Sequence, residues 1–451
     1  MKPNFGNLPK PNSAANNPNA AHAQARFQEG LVLHQKGQLI QAKAIYEQVL
    51  RTQPKHFDAL HLMGVIALET GNHLLAVELI DKAIAINPNS AVAHYNRGNT
   101  LQELKRLDEA LASYDQAIKF KADYADAYSN RGYTLPALKR LNEALASFDQ
   151  AIKLNADDAD AYYNRGNTLK ELKHLDEALA SYDQAIKLNK GDAEAYSNRG
   201  NTLQELKRLD EALASYDQAI KLKADYAEAY NNRGNTLQAL NRFDEALASF
   251  DQAIRLKADD ANAYYNRGNT LQALKRLVEA VASYDHAIKL KADYVEAHCN
   301  RSMALNGLIR HDEAMASVET ALALNPNHVE SHNNLGNALR NLGRLKEALL
   351  SYSRALALKP DYVEAHSNKI FCMNGLPEFG FVEYQKEMRR WYEVHASGLA
   401  RTPLLPRKPD ARSKRLVVGY VSADFRKHSA AAVFGPVLRH HDKSRFEIVF
   451  A

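Results

Sequence analysis

The sequence predicts an all-α superhelical solenoid of stacked helical hairpins, with the opening of an α/β domain at its C-terminal end. Three observations predict this. Glycines fall on a 34-residue beat: Gly30, Gly64, Gly98, Gly132, Gly166, Gly200, Gly234, Gly268 and Gly336, with Ser302 and Ile370 on the beat where glycine is missing. Twelve residues after each beat comes an alanine, such as Ala110 or Ala212, and four later a bulky residue such as Tyr114, Phe148 or Tyr216. After residue 374 the beat fails and a β-branched apolar run, "LVVGYVSADF", appears.

Each element follows from these. In "AYSNRGNTLQEL" and again in "LDEALASYDQAIKL" the apolar residues recur at three- and four-residue steps, the mark of two amphipathic helices per repeat. Small residues let the two helices approach and the aromatic fills the gap between neighbouring pairs. One such pair cannot bury its own apolar face, but a stack can. The "KRLDE" turns and the "KAD" or "NPN" breaks separate the helices. Pro136, inside a first helix, predicts a local kink. Triplets such as Asp108-Glu109-Ala110 place acids in the first turn of each second helix, where the dipole favours them.

Composition narrows the function classes. The chain has 451 residues, 45% hydrophobic and 25% charged, within the range of folded proteins. No apolar stretch approaches the roughly 18 residues that span a bilayer, so no membrane partner is expected. The N-terminus lacks an apolar signal core. Cys299 and Cys372 lie far apart, which argues against a disulfide framework or thiolate zinc site and for a cytoplasmic setting. The net charge of +5 is uneven: residues 401–451 hold eleven Lys/Arg against four Asp/Glu, leaving residues 1–400 at −2. A nucleic-acid binder spreads basic residues over its main surface, so no nucleic-acid partner is expected.

Two polar columns stand out. Asn96, Asn130, Asn164, Asn198, Asn232, Asn266, Asn300, Asn334 and Asn368 each precede the beat by two residues. Asn99, Asn167, Asn201, Asn235, Asn269 and Asn337 follow three residues later, on the same helix face. Acids at Asp126, Asp160, Glu194, Glu228, Glu296, Glu330 and Glu364 join that face. One reading is a solvated exposed face, copied with the repeat. The other is that first helices line the inner wall of a superhelix, where amides with both donors and an acceptor clamp the backbone of an extended peptide. Asn is a poor mid-helix residue, so its persistence needs a reason. His94, His298, His332 and His366 occur once per repeat, too far apart for a shared metal, and are expected to pack in the core or at the groove edge. No metal is expected.

The beat of Gly, then Ala, aromatic and Ala resembles the tetratricopeptide repeat. On that resemblance, ten repeats are expected over residues 23–362, after an N-terminal segment, 1–22, expected to be disordered. Residues 363–397 are expected to hold a partial repeat and a capping helix with Trp391 on its apolar side. Two features depart from the usual repeat: an arginine stands before the beat (Arg97, Arg131, Arg165, Arg199, Arg233, Arg267, Arg301), and central repeats lack the closing proline seen at Pro54 or Pro88.

A basic, proline-rich linker over residues 398–414 precedes "RLVVGYVSADFRKHSAAAVFGPVLRHHDKSRFEIVFA", read as strand, helix and strand. This junction resembles bacterial members of the protein O-GlcNAc transferase/SPINDLY family. The resemblance implies that residues 415–451 begin a Rossmann-like (GT-B) catalytic domain, truncated here, which moves sugar from a nucleotide donor to Ser or Thr of proteins without a metal. The implied donor is UDP-N-acetylglucosamine, with GDP-fucose as the alternative. His428 falls on the family's active-site histidine, suited to general-base or orienting work; by its residues alone it reads as a solvated loop histidine. Asp424 shares its loop, and "SAAAV" departs from the family's acceptor-side sequence. The expected partners are protein or peptide acceptors in the groove, with a homodimer through repeat surfaces as a further expectation. No transfer is expected from residues 1–451 alone. The alternative is a scaffold that binds extended peptide segments and does no chemistry.

Overall fold

The computed structural model describes residues 18–397 and two short strands at 416–420 and 446–450. The chain divides into two compact units, Met1–Pro326 and Asn327–Ala451. Among the described residues, the first holds nine helical hairpins. Their helices are α1 (Pro18–Gln35), α2 (Leu39–Thr52), α3 (Phe57–Glu69), α4 (His73–Ile86), α5 (Ala91–Glu103) and α6 (Leu107–Phe120). Then follow α7 (Ala125–Thr134), α8 (Leu141–Leu154), α9 (Ala159–Glu171), α10 (Leu175–Leu188), α11 (Ala193–Glu205) and α12 (Leu209–Leu222). The unit ends with α13 (Ala227–Ala239), α14 (Phe243–Leu256), α15 (Ala261–Ala273), α16 (Leu277–Leu290), α17 (Val295–Gly307) and α18 (His311–Leu324). Within this unit each odd-numbered helix packs on the next even one, and each even helix from α2 to α16 on the following hairpin. Helix α1 starts at Pro18, ahead of the expected residue 23; proline suits the first helical position because its missing N–H is not needed there.

The glycine beat is a steric requirement. A Cβ on Gly98 would lie 2.5 Å from the Tyr114 ring, and one on Gly200 2.7 Å from that of Tyr216. Each ring is fully buried beneath its glycine. The ninth hairpin tests the rule within the chain: Val318 replaces the aromatic, and there Ser302 replaces glycine, both buried.

Six of the seven arginines that stand before a beat, unexplained by the sequence, each tie three helices together, while Arg301 bonds Asp285. Arg97 on α5 donates through Nε to Asp81 on α4 at 2.6 Å and through Nη1 to Ser113 on α6 at 2.8 Å. Arg131, Arg165, Arg199, Arg233 and Arg267 repeat both bonds in the same register. A planar fork with fixed donor directions suits such a bridge where lysine would not.

First helices end in a tight left-handed turn. Lys105, Lys139, Lys173, Lys207, Asn241, Lys275 and Ile309 hold it at φ 58 to 64°, where Gly37, Gly71 and Gly343 do so elsewhere. The next N–H reaches back to a carbonyl of the last turn, as Arg208 does to Leu203 at 2.9 Å, so the helix end is satisfied. Pro136 acts as expected: α7 stops at Thr134 and continues as a 3-10 turn over Leu135–Leu138.

The second unit has α19 (Val329–Asn341), α20 (Leu345–Leu358), α21 (Val363–Met373) and α22 (Phe381–His395), each packed on the next. Helix α22 buries none of its residues fully; it touches α21 through Trp391, whose Nε1 donates to Ser367 Oγ at 3.1 Å. Two strands, Leu416–Tyr420 and Phe446–Phe450, pair in parallel with Leu416 opposite Phe446. Residues 421–445, where a helix was expected between them, lie outside the described residues.

Candidate functional site

The asparagine columns occupy the middle of successive first helices. Within the first unit they bond to one another from hairpin to hairpin. Asn130 Nδ2 on α7 donates to Asn99 Oδ1 on α5 at 2.8 Å and to the Tyr95 hydroxyl at 3.0 Å. Asn198 on α11 does the same to Asn167 and Tyr163 on α9, at 3.1 and 2.9 Å. Asn232 reaches Asn201 at 3.0 Å, and Asn300 reaches Asn269 and Tyr265 at 2.9 and 3.1 Å. The first rung is different: Asn96 Nδ2 meets His61 Nε2 at 2.9 Å.

The second column is fixed in turn from its own hairpin. The hydroxyl of Tyr114 donates toward Asn99 Oδ1 at 2.9 Å; Tyr182, Tyr216 and Tyr284 bond Asn167, Asn201 and Asn269 at 2.7 to 2.8 Å. Burial pushes these phenols well above their ordinary range, so they remain donors. In the second unit, Asn337 accepts from Tyr352 at 2.9 Å, and Asn368 donates to Asn333 at 3.0 Å.

These bonds supply the reason for mid-helix asparagine: a carboxamide joins one hairpin to the next, which offsets its poor propensity. Asn96, Asn99 and Asn334 are buried, beneath the surface rather than lining it. Asn130, Asn164, Asn198, Asn232, Asn266, Asn300 and Asn368 are half-buried, as are Asn167, Asn201, Asn235, Asn269 and Asn337. Among the described residues no donor reaches Oδ1 of Asn198, Asn232 or Asn300, so these three keep an acceptor. The acids Asp126, Asp160, Glu194, Glu228 and Glu296 are exposed on the same helices.

The ladder has faults. Tyr133 stands where a second-column asparagine would, and Asn164 turns to its own backbone, bonding the Asp160 carbonyl at 2.9 Å. Asn266 bonds Asn231 at 3.2 Å instead of Asn235. Sequence reasoning missed the tyrosines that orient the ladder, Tyr114, Tyr182, Tyr216 and Tyr284, and the glutamines some of them also reach, such as Gln204 at 3.2 Å from Tyr216. Their constant spacings of 15 and 12 residues were the available signal.

The histidines separate. His94 Nε2 and His298 Nε2 meet the Pro88 and Ala292 carbonyls at 2.8 and 3.1 Å. His366 is buried between α21 and α22, with Nδ1 2.9 Å from His395 Nε2 and Nε2 3.2 Å from Glu387. Burial holds its pKa below the ordinary value; Glu387, which burial pushes up, is brought below its own by Lys369 at 2.6 Å and by His366. Among the described residues no His/Cys/Asp/Glu group could hold a metal, and no helix is long and apolar enough to cross a membrane. Cys299 and Cys372 are buried and form no disulfide. His428 and Asp424 lie outside the described residues.

Family models described as TPR repeat match residues 98–138, 135–173, 166–207, 200–241 and 234–275. Models described as tetratricopeptide repeat match 27–91, 79–112, 261–294, 295–328 and 329–362, so the matches together run unbroken from 27 to 362. Among solved structures, the chain is similar to YrrB, a TPR protein with an unusual peptide-binding site, at 28% identity over 42% of this chain and 97% of that one (TM-score 0.37). It is similar to Pseudomonas aeruginosa pilF at 22% identity over 46% and 94% (TM-score 0.41). It is also similar to a chain of the APC/C hetero-tetramer Cut9-Hcn1 at 12% identity over 83% and 94% (TM-score 0.44).

Proposed function

Because the chain belongs to the tetratricopeptide-repeat family, we propose that its asparagine ladder holds an extended polypeptide and that the repeats are the substrate-holding part of a protein O-glycosyltransferase. The observation that carries the first half is the set of half-buried carboxamides Asn198, Asn232 and Asn300 on first helices, each bonded to an amide of the preceding hairpin and each keeping an acceptor oxygen. Backbone N–H groups of an extended peptide are donors at regular intervals, so such a row suits main chain over any particular side chain. Preorganisation by the tyrosine hydroxyls lowers the ordering cost of binding.

The transferase half is supported by the resemblance of residues 415–451, with His428 as base or orienting residue and UDP-N-acetylglucosamine as donor. The scaffold reading is supported by the repeats alone, which account for α1–α21 without any chemistry.

A fluorescein-labelled peptide of Ser, Thr, Ala and Pro is expected to bind with an anisotropy change. Asn198→Ala, Asn232→Ala and Asn300→Ala combined should weaken it at least tenfold, at roughly 1 kcal/mol per lost bond. Unchanged affinity returns the columns to a purely structural role. Transfer of labelled N-acetylglucosamine by the protein carrying this chain, abolished by His428→Ala, supports the transferase; an intact UDP-sugar supports the scaffold.

A further inference from the structure

Helix α13 carries two carboxamides that the rest of the ladder would hold in place but here does not. In α5, α11 and α15 an asparagine and a glutamine three residues on share one tyrosine hydroxyl. Tyr114 lies 2.9 Å from Asn99 and 3.0 Å from Gln102; Tyr216 lies 2.7 and 3.2 Å from Asn201 and Gln204; Tyr284 lies 2.8 and 3.1 Å from Asn269 and Gln272. In two hairpins without the hydroxyl both amides are absent, and in the ninth, where Val318 stands, Met303 and Asn306 hold the two positions and Asn306 Oδ1 lies 3.0 Å from His311 Nδ1. Ile80 stands in register with Val65 and Leu68, and Phe148 with Tyr133 and Pro136.

Phe250 breaks this pairing. It is fully buried under Gly234, with no hydroxyl, yet Asn235 and Gln238 remain in register with it on α13. Among the described residues neither amide has a hydrogen-bond partner, and both are half-buried. Asn266, which by ladder logic would reach Asn235, bonds Asn231 instead. Packing alone does not call for this arrangement, since α3 accepts the apolar Val65 and Leu68 at the same two positions. On the next first helix, the place of the acids at Glu228 and Glu296 is taken by neutral Asn262, which accepts from the Tyr294 hydroxyl at 3.0 Å. The nearby cations Arg233 and Arg267 are engaged by Asp217 and Asp251.

We infer that Asn235 and Gln238, left available by Phe250, form the principal anchoring point of the ladder for a polypeptide main chain. Two neutral carboxamides three residues apart on one helix face offer donors and acceptors in the mixture that an extended backbone presents. Phe250 is the positioning residue: it supplies the ring that the stack needs and withholds the hydroxyl that would occupy both amides.

This rests on the peptide-holding reading, and the test separates the two. Phe250→Tyr places a hydroxyl where Tyr216 already carries one, so the hairpin should fold with unchanged or raised melting temperature. Affinity for the labelled Ser/Thr/Ala/Pro peptide should fall about tenfold as two bonds are lost to the ligand. Asn235→Ala with Gln238→Ala should weaken binding by a similar factor, without touching the buried ring. If both variants bind as the parent does while the Asn198/Asn232/Asn300 variant loses the peptide, the anchoring point is overturned and the groove stands. If the parent binds no peptide, both fall.

Discussion

Hairpins α3–α4 and α11–α12 have the same backbone plan and two different chemistries. In α3 the positions of the ladder are apolar: Leu62 and Val65 stand where α11 has Asn198 and Asn201, and Ile80 of α4 stands where α12 has Tyr216. Leu62, Val65 and Ile80 are fully buried. In α11–α12 the same positions form a hydrogen-bonded set of half-buried amides around a tyrosine. A hairpin therefore stacks without any ladder asparagine. The amides are one solution to joining hairpins, and the one that leaves polar groups at the surface.

The largest expected effect tests what the two hairpins share, the glycine under a bulky residue. Gly200→Ser should cost about 3 kcal/mol, because its Cβ meets the Tyr216 ring and a packed core resists overpacking. Tyr216→Val added to it should recover part of that loss, as the Ser302 and Val318 pair already does in the ninth hairpin. Hydrogen exchange of the α11–α12 amides reads both, since a long array need not unfold in one step. A double variant no better than the single one would show that the ring is not what excludes a side chain.

Acid should divide the two regions. His34 and His61, in the first two hairpins, are held at about 4 by burial, and α11–α12 contains no histidine. The unfolded chain takes up protons near 6.5 while the folded hairpins refuse them, so stability falls as pH drops from about 6.5 to about 4. For His61 the loss is on the order of 3 kcal/mol at the lower end. Asp58 and Glu69, raised by burial, bind protons more readily when folded and oppose this only near the carboxylate range. The first rung needs neutral His61 to accept from Asn96, so protonation also breaks that bond. Exchange protection of α1–α4 is expected to fade across this window while that of α11–α12 persists; equal fading would refute it.

Much of this was legible in the sequence and some was not. The helices, their pairing and the Pro136 break follow from spacing because every copy repeats the same local demand, and ten copies remove coincidence. The two columns were legible as a shared helix face, but their partners were not. A period of 34 says which residues are equivalent, not that Asn198 on one helix lies against Asn167 on the previous one. The arginine bridge was hidden for the same reason: Asp183 and Ser215 sit 16 residues before and after Arg199, on two different helices. Phe250 was visible as a letter, and its meaning required knowing what Tyr216 holds.

The smallest effect concerns how the first helices end. Gly71 closes α3 with φ +78°, whereas Lys207 closes α11 at φ 61°, in the left-handed region that a Cβ disfavours. The same bond geometry is kept in both, with Asn72 N–H on the Ala67 carbonyl at 2.8 Å and Arg208 N–H on that of Leu203 at 2.9 Å. Lysine at this turn is therefore strained relative to glycine without losing a bond. Lys207→Gly should stabilise the hairpin by roughly 0.5 to 1 kcal/mol, reduced somewhat by the greater freedom glycine gives the unfolded chain. The gain should appear as slower exchange at the α11–α12 turn with peptide affinity unchanged, since residue 207 lies outside the ladder. A loss of stability would mean that the lysine side chain contributes more at this turn than its backbone strain costs.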